Sequence, residues 1–389
     1  MKEILFISPD SNPFSGKGWG AVQRTNLLFE AVSRLGNVDI ISFQDGVESD
    51  RDNCHVLYSQ SDQIWRASKN RIWLLLKTLF PITPYSLFPK NHFRANVVKS
   101  FVKKKDYDII ICRYFPSAMQ CGLIDYPKKL VVDIDDAPSD VELIAAKTAR
   151  SWRNRVYHYC RWRALGRCFK RLQSKCHITF YSNPEQAIYG NSVYLPNIPF
   201  YEDEIPAADF ENTAPRIIFV GNLNFGPNIQ GVDRFIDYVY PLVQNMIPNV
   251  EFHIVGKCSF NSFIDKWEHV EGVTYMGFVD DLKKEYSEAR VVVVPIYEGA
   301  GTNIKILEAM KMKRPCVTTE CGYRGFTGVI APNVCLSVSR NDDEFAKHVV
   351  ELLINKEQNH MVSERAHSVI SDHFSRRRFF CVVERALND

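Results

Sequence analysis

The feature that most constrains this chain is a strand, a glycine loop, a helix and a second strand within residues 290–319, RVVVVPIYEGAGTNIKILEAMKMKRPCVTT. The four valines of Val291–Val294 are typical of a strand that is buried on both faces of a parallel sheet. Pro295 ends that strand because it has no N–H group for the ladder. Gly299 and Gly301 allow a sharp turn and a close approach by a ligand. The segment therefore predicts an α/β fold with a parallel sheet.

The helix after the glycine loop should begin at Thr302 or Asn303, since either side chain can cap it. Ile304, Leu307 and Met310 recur at spacings of three and form its apolar face. The first N–H groups of the helix and its dipole both face the loop. These residues predict an anion-binding site at the loop.

GAGTNIKILEAM followed by KRPCVTT resembles the donor-site signature of glycosyltransferase family 4, which are retaining enzymes of the GT-B fold. The resemblance implies an α/β, GT-B fold: two Rossmann-like domains facing each other across a cleft, with a C-terminal helix crossing back to the first domain. It implies that Lys305 contacts the diphosphate of a nucleotide sugar and that Glu308 contacts the ribose. The loop residues implied to surround the diphosphate are Gly299, Gly301, Thr302 and Asn303. Lys305 and Glu308 share one helix face. The alternative interpretation is an amphipathic helix with an ordinary solvated Lys–Glu pair.

The acidic residues of this loop depart from the usual family pattern. The family carries a second glutamate, near the transferred sugar, in a position that is occupied here by Ala300. A polysaccharide-assembly subset of the family also lacks that acid, and this chain resembles the subset. Glu298, two residues earlier on the loop, is the remaining candidate for a catalytic acid in this half.

Three further loops of the second half follow predicted strands. The loop 221–228, GNLNFGPN, begins with Gly221 and carries Asn222 where many family members have a cation for the diphosphate. Lys257 follows the strand 251–255 and is a further candidate for the phosphate. Phe278 lies in VTYMGFV, residues 273–279, where the family contacts the nucleotide base. All four are predicted donor-binding residues.

The first half opens on a strand, a glycine loop at 12–20 and a helix, which is typical of a Rossmann-like unit. The glycines do not match the dinucleotide pattern G-x-G-x-x-G. By the resemblance, Gly18 faces the donor phosphates, and Arg24 on the first helix turn adds positive charge or is simply solvated. Arg113 and Tyr114 end the predicted strand 108–113 and should face the same crevice.

The strand that begins at Leu130 ends in three carboxylates, Asp133, Asp135 and Asp136. Ligands of α/β folds bind at the carboxyl ends of strands, so Asp135 and Asp136 are the catalytic candidates of the first half. Such a cluster also suits a divalent metal or helix capping. Because the resembled fold works without a metal, we predict neither a metal nor a cofactor.

The length of 389 residues predicts two to three domains, and the resemblance implies two of them with a closing C-terminal helix. We place an acceptor-binding domain at 1–199, a donor-binding domain at 214–372 and a C-terminal helix at 373–389. Eleven cysteines without a CxxC pair are typical of reduced cytosolic thiols. The N-terminus does not resemble a signal peptide, and no apolar run approaches the length of a spanning helix. A cytoplasmic location follows as the expectation.

Charge is distributed unevenly along the chain. Residues 1–200 hold 28 basic and 18 acidic residues, whereas the remainder holds 20 basic and 27 acidic residues. The basic excess lies in 64–105 and 141–178, which also carry Trp65, Trp73, Trp152 and Trp162. This pattern predicts an anionic partner, namely a membrane surface on the inner face of the plasma membrane. The alternative is a solvated basic surface that binds no partner. Nucleic acid is not expected, because no recognition module is present.

The function indicated is transfer of a sugar, with retention, from a nucleotide sugar to a glycan or lipid-linked acceptor in cell-surface polysaccharide biosynthesis. Two alternatives remain. A GT-B nucleotide-sugar epimerase would need titratable residues facing the sugar. A non-catalytic sugar-nucleotide-binding subunit of an assembly complex would explain why Ala300 replaces the usual acid.

Overall fold

A computed structural model describes residues 1–9, 11–14, 20–61, 90–126, 129–135, 137–149, 151–188, 190–200, 205–299 and 301–388. Residues 64–89 of the basic segment 64–105, together with Gly18 and Asp136, lie outside these residues. The chain forms two compact units. The first unit comprises Met1–Pro196 and Phe379–Asp389, and the second comprises Asn197–Arg378. The sequence had placed the corresponding limits at 199, 214 and 372.

The first unit is built on a seven-stranded sheet in the order β3-β2-β1-β4-β5-β6-β7, in which every pair is parallel. Its strands are β1 (Lys2–Ser8), β2 (Gly36–Ser42), β3 (Cys54–Ser59), β4 (Ile109–Arg113), β5 (Leu130–Asp135), β6 (Ile178–Tyr181) and β7 (Ser192–Tyr194). In the register of β4 and β5, Arg113 lies directly opposite Asp133. The order reverses at β1, so the carboxyl ends of β1, β4 and β5 meet at the edge where α/β folds bind ligands.

The helices described in the first unit are α1 (Gly20–Ser33), α2 (His92–Val102), α3 (Phe115–Gln120), α4 (Pro138–Thr148) and α5 (Trp152–Gln173). A short 3₁₀ turn covers Leu123–Asp125. The basic segment 141–178 contains most of α4 and the whole of α5. No helix in the described part of the chain combines the length and the apolarity that crossing a membrane would require.

The second unit is built on a six-stranded parallel sheet in the order β10-β9-β8-β11-β12-β13. Its strands are β8 (Arg216–Val220), β9 (Glu251–Val255), β10 (Val273–Gly277), β11 (Val291–Val294), β12 (Cys316–Thr319) and β13 (Ser337–Ser339). All four valines of β11 are fully or almost fully buried, as the sequence predicted for a central strand. The sheet packs through Ile217, Phe219 and Val293 against helix residues such as Phe345 and Val349.

The helices of the second unit are α6 (Gly226–Arg234), α7 (Tyr240–Met246), α8 (Asn261–Glu268), α9 (Leu282–Glu288), α10 (Ile304–Lys311), α11 (Glu320–Tyr323), α12 (Asp342–Ile354) and α13 (Lys356–His373). Helices α6 and α7 follow one another closely in the chain. A π-helical turn, Phe235–Val239, separates them, and Pro241 in the first turn of α7 removes one backbone donor from the ladder there.

The last helix, α14 (Arg376–Asn388), begins in the second unit and belongs to the first unit from Phe379 onward. Its apolar side chains Phe379, Val383 and Leu387 are buried. Within the first unit, the Arg34 guanidinium lies 4.0 Å from the Phe380 ring centroid. The predicted α/β architecture, including a C-terminal helix that returns to the first unit, is confirmed.

Candidate functional site

The glycine loop after β11 has a backbone that requires glycine. Gly299 has a φ of 133° and Gly301 a φ of 93°, a region that other residues rarely adopt. The loop is held by the glycine-rich segment after β12. The Arg324 guanidinium donates to the carbonyl of Gly299, and the Thr319 hydroxyl donates to the carbonyl of Ile296. These two bonds tie Ile296 and Gly299, on the N-terminal side of the loop, to β12 and the segment that follows it.

Helix α10 begins directly after this loop and has no side-chain cap. Asn303 occupies the N-cap position, but its side chain makes no capping bond. Instead, Asn303 Nδ2 donates to the carbonyl of Gly322 over 2.8 Å, and the Thr302 hydroxyl accepts from Asn197 Nδ2 over 2.8 Å. The prediction that Thr302 or Asn303 caps the helix is therefore wrong, because both side chains are engaged elsewhere. A ligand anion can take the place of the cap.

Lys305 and Glu308 lie one turn apart on α10, and both side chains are half-buried. Burial lowers the pKa of Lys305 from its ordinary 10.5 to about 8, while the nearby Glu308 opposes that change. Burial likewise raises the pKa of Glu308 from 4.5 to about 7, and Lys305 opposes it. The site therefore contains two poorly solvated, opposite charges beside the uncapped start of a helix. A ligand with phosphate and hydroxyl groups could contact Lys305, Glu308 and the free N–H groups of the helix start.

Gly221 lies directly beneath the Lys305 side chain. A Cβ atom on Gly221 would come within 2.9 Å of Lys305 Cε. On the opposite side, a Cβ atom on Gly256 would lie only 1.8 Å from the carbonyl oxygen of Gly221. The Gly256 N–H in turn donates to the carbonyl of Gly277 over 2.7 Å. The loops after β8, β9 and β10 thus touch backbone to backbone and lead away from Lys305.

These loops carry the remaining predicted donor residues of the second unit. Asn222 and Lys257 are exposed, and the Phe278 side chain is 78% exposed. From β11 to β10 the sheet spans three strand spacings of about 4.8 Å each, which suits the length of a nucleoside diphosphate. All ten donor-binding residues predicted in this unit therefore lie along one edge of one sheet.

Two asparagines of the loop 221–228 hold this edge together through side-chain contacts. The buried Asn228 donates through Nδ2 to the carbonyl of Asn222 over 2.8 Å. Asn224 Oδ1 accepts from the Ser259 N–H over 2.8 Å and so joins the loops after β8 and β9. Nothing in the sequence indicated these contacts, because they join residues on different loops.

The first unit holds a buried ionic cluster at the carboxyl ends of β4 and β5. Arg24 and Arg113 are each 1% exposed and Asp133 is fully buried. Arg24 donates to both carboxylate oxygens of Asp133, with Nη2–Oδ1 at 2.7 Å and Nε–Oδ2 at 2.9 Å. Arg113 lies 3.0 Å from Asp133 Oδ2 and donates through Nη2 to Asp135 Oδ2 over 2.8 Å. The interpretation of Arg24 as a solvated side chain is therefore wrong.

Tyr114 and Asp135 border this cluster with unusual backbones. Their φ angles are 63° and 61°, which is strained for residues with side chains. The Arg113 guanidinium lies 4.4 Å from the Tyr114 ring centroid, and burial raises the pKa of Tyr114 to about 12. Asp135 keeps 16% of its side chain exposed. Of the cluster, these two residues are the ones that a ligand can reach.

The other candidates have simpler surroundings. Glu298 is exposed on the glycine loop beside Gly299. Helix α4 has Ala137 at its N-cap position. Asp133 and Asp135 accept hydrogen bonds from arginines, so the helix-capping interpretation does not hold for these two aspartates. Among the described residues, no three carboxylate, histidine or cysteine side chains are grouped to hold a metal ion; Asp136 is not among those residues.

The opposite pKa shifts of Lys305 and Glu308 predict a bell-shaped pH dependence of nucleotide binding. Affinity should be highest between about pH 7 and pH 8, fall below pH 7 as Glu308 gains a proton, and fall above pH 8 as Lys305 loses one. Calorimetric titration with a nucleoside diphosphate from pH 6 to pH 9 measures this. The Glu308→Gln variant should lose the acidic limb and Lys305→Met the alkaline limb; a flat profile in the wild type would contradict the assignment.

The stability of the unliganded protein should follow the opposite course. The raised pKa of Glu308 contributes stability that is lost as pH rises from about 4.5 through about 7. The lowered pKa of Lys305 adds stability as pH rises from about 8 toward 10.5. The contribution of this pair is thus smallest where nucleotide affinity is highest, which thermal melting over the same pH range would show.

Comparison with known proteins gives the fold and a family match for the second unit. Residues 214–355 match the family model described as "Glycosyl transferases group 1". An uncharacterised 44.6 kDa protein in the cps region of Klebsiella pneumoniae is 23% identical over 410 residues, which covers 98% of this chain and 99% of that protein.

Solved structures resemble the whole chain. Sucrose-phosphate synthase from Thermosynechococcus elongatus has a TM-score of 0.70 at 14% identity, covering 99% of this chain and 98% of that one. HepE from Anabaena, solved in complex with UDP and glucose, has a TM-score of 0.64 at 13% identity and full coverage of both chains. The chain has the GT-B fold of these structures, and its second unit carries the match to the group 1 glycosyl transferase model.

Proposed function

We propose that this protein is a glycosyltransferase that moves a sugar from a nucleotide-sugar donor to a glycan or lipid-linked acceptor. The observation that carries the proposal is the half-buried pair Lys305 and Glu308 beside the uncapped start of α10 and the glycine loop. The match to the group 1 glycosyl transferase model covers this loop and helix. HepE, a structural neighbour, was solved in complex with UDP-glucose, which supports a nucleotide sugar as the donor.

In the proposed mechanism, the second unit stabilises the leaving group. The first N–H groups of α10 and the Lys305 ammonium hold the diphosphate, on which negative charge grows as the glycosidic bond breaks. The Glu308 carboxylate accepts from the ribose hydroxyls, and Phe278 contacts the base. Because Lys305 supplies positive charge at the leaving oxygen, the proposal needs no metal and no cofactor. Retention of configuration, as in glycosyltransferase family 4, belongs to the same proposal.

The first unit would supply the acceptor subsite. Arg24 and Arg113 are bound to Asp133 and Asp135, so the cluster carries two positive and two negative charges. An acceptor that reaches Tyr114 and Asp135 thus meets an aromatic ring and a carboxylate, which suits a neutral group rich in hydroxyls. We propose Asp135 as the residue that orients the attacking hydroxyl. Asp136, Gly18 and Glu298 remain candidates on sequence grounds alone.

The cellular role that fits best is polysaccharide assembly in the cytoplasm, at the inner face of the plasma membrane. The name of the Klebsiella relative places that protein in a cps region, which supports this role. The second candidate is a non-catalytic sugar-nucleotide-binding subunit. The observation in its favour is Ala300, which stands where the resembled family has an acid near the transferred sugar.

Slow donor hydrolysis in the absence of an acceptor tests the proposal. The protein is incubated with a panel of nucleotide sugars, and free sugar and nucleoside diphosphate are quantified by chromatography. We expect release from one donor in preference to the others, with Glu308→Gln reducing release at a fixed donor concentration. Tight binding of a donor without any release would favour the non-catalytic subunit, and conversion of the donor without release would favour an epimerase.

A further inference from the structure

We propose that the outer face of α5 docks the first unit on an anionic lipid bilayer. The proposal deepens the proposed function, on which it rests for the lipid-linked nature of the acceptor. We define the outer face as the exposed side chains Trp152, Arg155, Val156, Tyr159, Arg163 and Arg167. They recur at spacings of three and four residues, so they share one side of the helix. The face is about 22 Å long at 1.5 Å per residue.

The apolar members of the outer face are unusually exposed for a protein surface. Trp152 is 72% exposed, Val156 50% and Tyr159 44%. Tryptophan and tyrosine favour the boundary between water and lipid because their rings are apolar and one end is polar. Tyr159 lies 5.2 Å from the Trp162 ring, centroid to centroid, which holds it in place. A water-exposed surface of this kind gains by burial in a lipid interface.

The charge of the helix is of one sign. Helix α5 contains seven lysine and arginine residues and no acidic residue. In the described ranges, no carboxylate pairs with Arg155, Arg163 or Arg167. Glu142 of α4 instead pairs with Arg161, at 2.7 Å, and with His158, at 2.8 Å, both outside the outer face. The arginines of the outer face therefore remain available to lipid phosphates.

The composition of the outer face favours a bilayer over nucleic acid. A nucleic acid would also attract these arginines. Surfaces that bind nucleic acids, however, add aromatic rings that stack on the bases and polar groups that hydrogen-bond to the bases in the grooves. Val156 lies between Trp152 and Tyr159 and offers neither, whereas an aliphatic side chain between two aromatic ones suits the acyl boundary of a bilayer. The two tryptophans of α5 differ in exposure: Trp152 is exposed and belongs to the outer face, whereas Trp162 is half-buried.

Vesicle sedimentation of the full chain tests the docking surface. We expect binding to vesicles of phosphatidylglycerol and phosphatidylcholine in equal parts and little binding to phosphatidylcholine alone. The triple variant Arg155→Gln, Arg163→Gln, Arg167→Gln should bind the anionic vesicles about 100-fold more weakly, at about fivefold per arginine. Trp152→Ser should weaken the part of the binding that survives high salt.

The matched control removes three charges from another helix of the same unit: Lys99→Gln, Lys103→Gln, Lys104→Gln, all exposed residues at the end of α2 or just beyond it. The proposal would be overturned if both triple variants weakened binding equally, or if the protein bound both kinds of vesicle equally. It would also be overturned if a duplex oligonucleotide bound as tightly as the vesicles and lost its binding with the same three arginines. Donor hydrolysis without lipid is measured on the same proteins. Its absence, with vesicle binding intact, would overturn the proposed function and leave the docking surface in place.

Discussion

Asp133→Asn should lower the free energy of unfolding of the first unit by about 3–5 kcal/mol, because it leaves two buried guanidinium groups without their shared counter-charge. Arg24 and Arg113 are each 1% exposed, so water cannot take over the role of the carboxylate. Arg24 would keep the carbonyl of Leu195, at 3.0 Å, and Arg113 would keep the Thr25 hydroxyl, at 2.8 Å, while both would compete for Asp135. Urea denaturation at neutral pH measures the change.

Asp106→Asn is the matched control for this variant. Asp106 pairs with Lys129 at 2.7 Å, but its side chain is 96% exposed, and such surface pairs contribute about 0–1 kcal/mol. The same chemical change should therefore cost several times more at position 133 than at position 106. If both variants unfold at the same urea concentration as the wild type, the ionic cluster does not hold the carboxyl ends of β4 and β5 together.

Lys305→Met should weaken nucleoside diphosphate binding by about 1.5–3 kcal/mol, the value of a charge-assisted hydrogen bond to phosphate. That loss corresponds to roughly 10- to 150-fold in affinity. The same substitution should leave the melting temperature unchanged or raise it, because burial already disfavours the charged form of Lys305. Glu308→Gln should weaken both the nucleoside diphosphate and the free nucleoside, since it alters the ribose contact and not the phosphate contact.

Calorimetric titration of the two variants and of Lys311→Met separates these roles. Lys311 lies on the same helix, in its last turn, and its loss should leave nucleotide affinity within about twofold of the wild type. Lys305→Met should bind the free nucleoside as the wild type does, because the nucleoside carries no phosphate. Wild-type affinity for the diphosphate in folded Lys305→Met would place the donor elsewhere.

The central strand and its loop were predictable because their signals are local. The valines of β11 are adjacent in sequence, and the two glycines that need positive φ stand in the same short loop. Lys305 and Glu308 fall on one helix face by their spacing alone. The edge strands β3 and β13 were missed, since each is short, mixed in polarity and only partly buried. A strand with few buried residues does not show the hydrophobic pattern by which strands are predicted from sequence.

The ionic cluster of the first unit could not be predicted from the sequence. Arg24 and Asp133 are 109 residues apart, and Arg113 comes opposite Asp133 through the register of β4 and β5. A run of aspartates at a strand end was interpreted as a possible ligand site. The structure shows that Asp133 is instead the counter-ion of two arginines, and that Asp135 keeps part of its side chain exposed. Which of the aspartates pairs with the arginines depends on contacts between residues that are distant in the sequence.

A crystal structure with a bound nucleoside diphosphate tests the central claim most directly. We expect the diphosphate to lie against Gly299, Gly301 and the start of α10, with Lys305 Nζ within about 3 Å of a phosphate oxygen. The ribose hydroxyls should contact Glu308, and the base should lie toward Phe278. A nucleotide bound elsewhere in the chain, or bound at this loop without contact to Lys305 and Glu308, would contradict it.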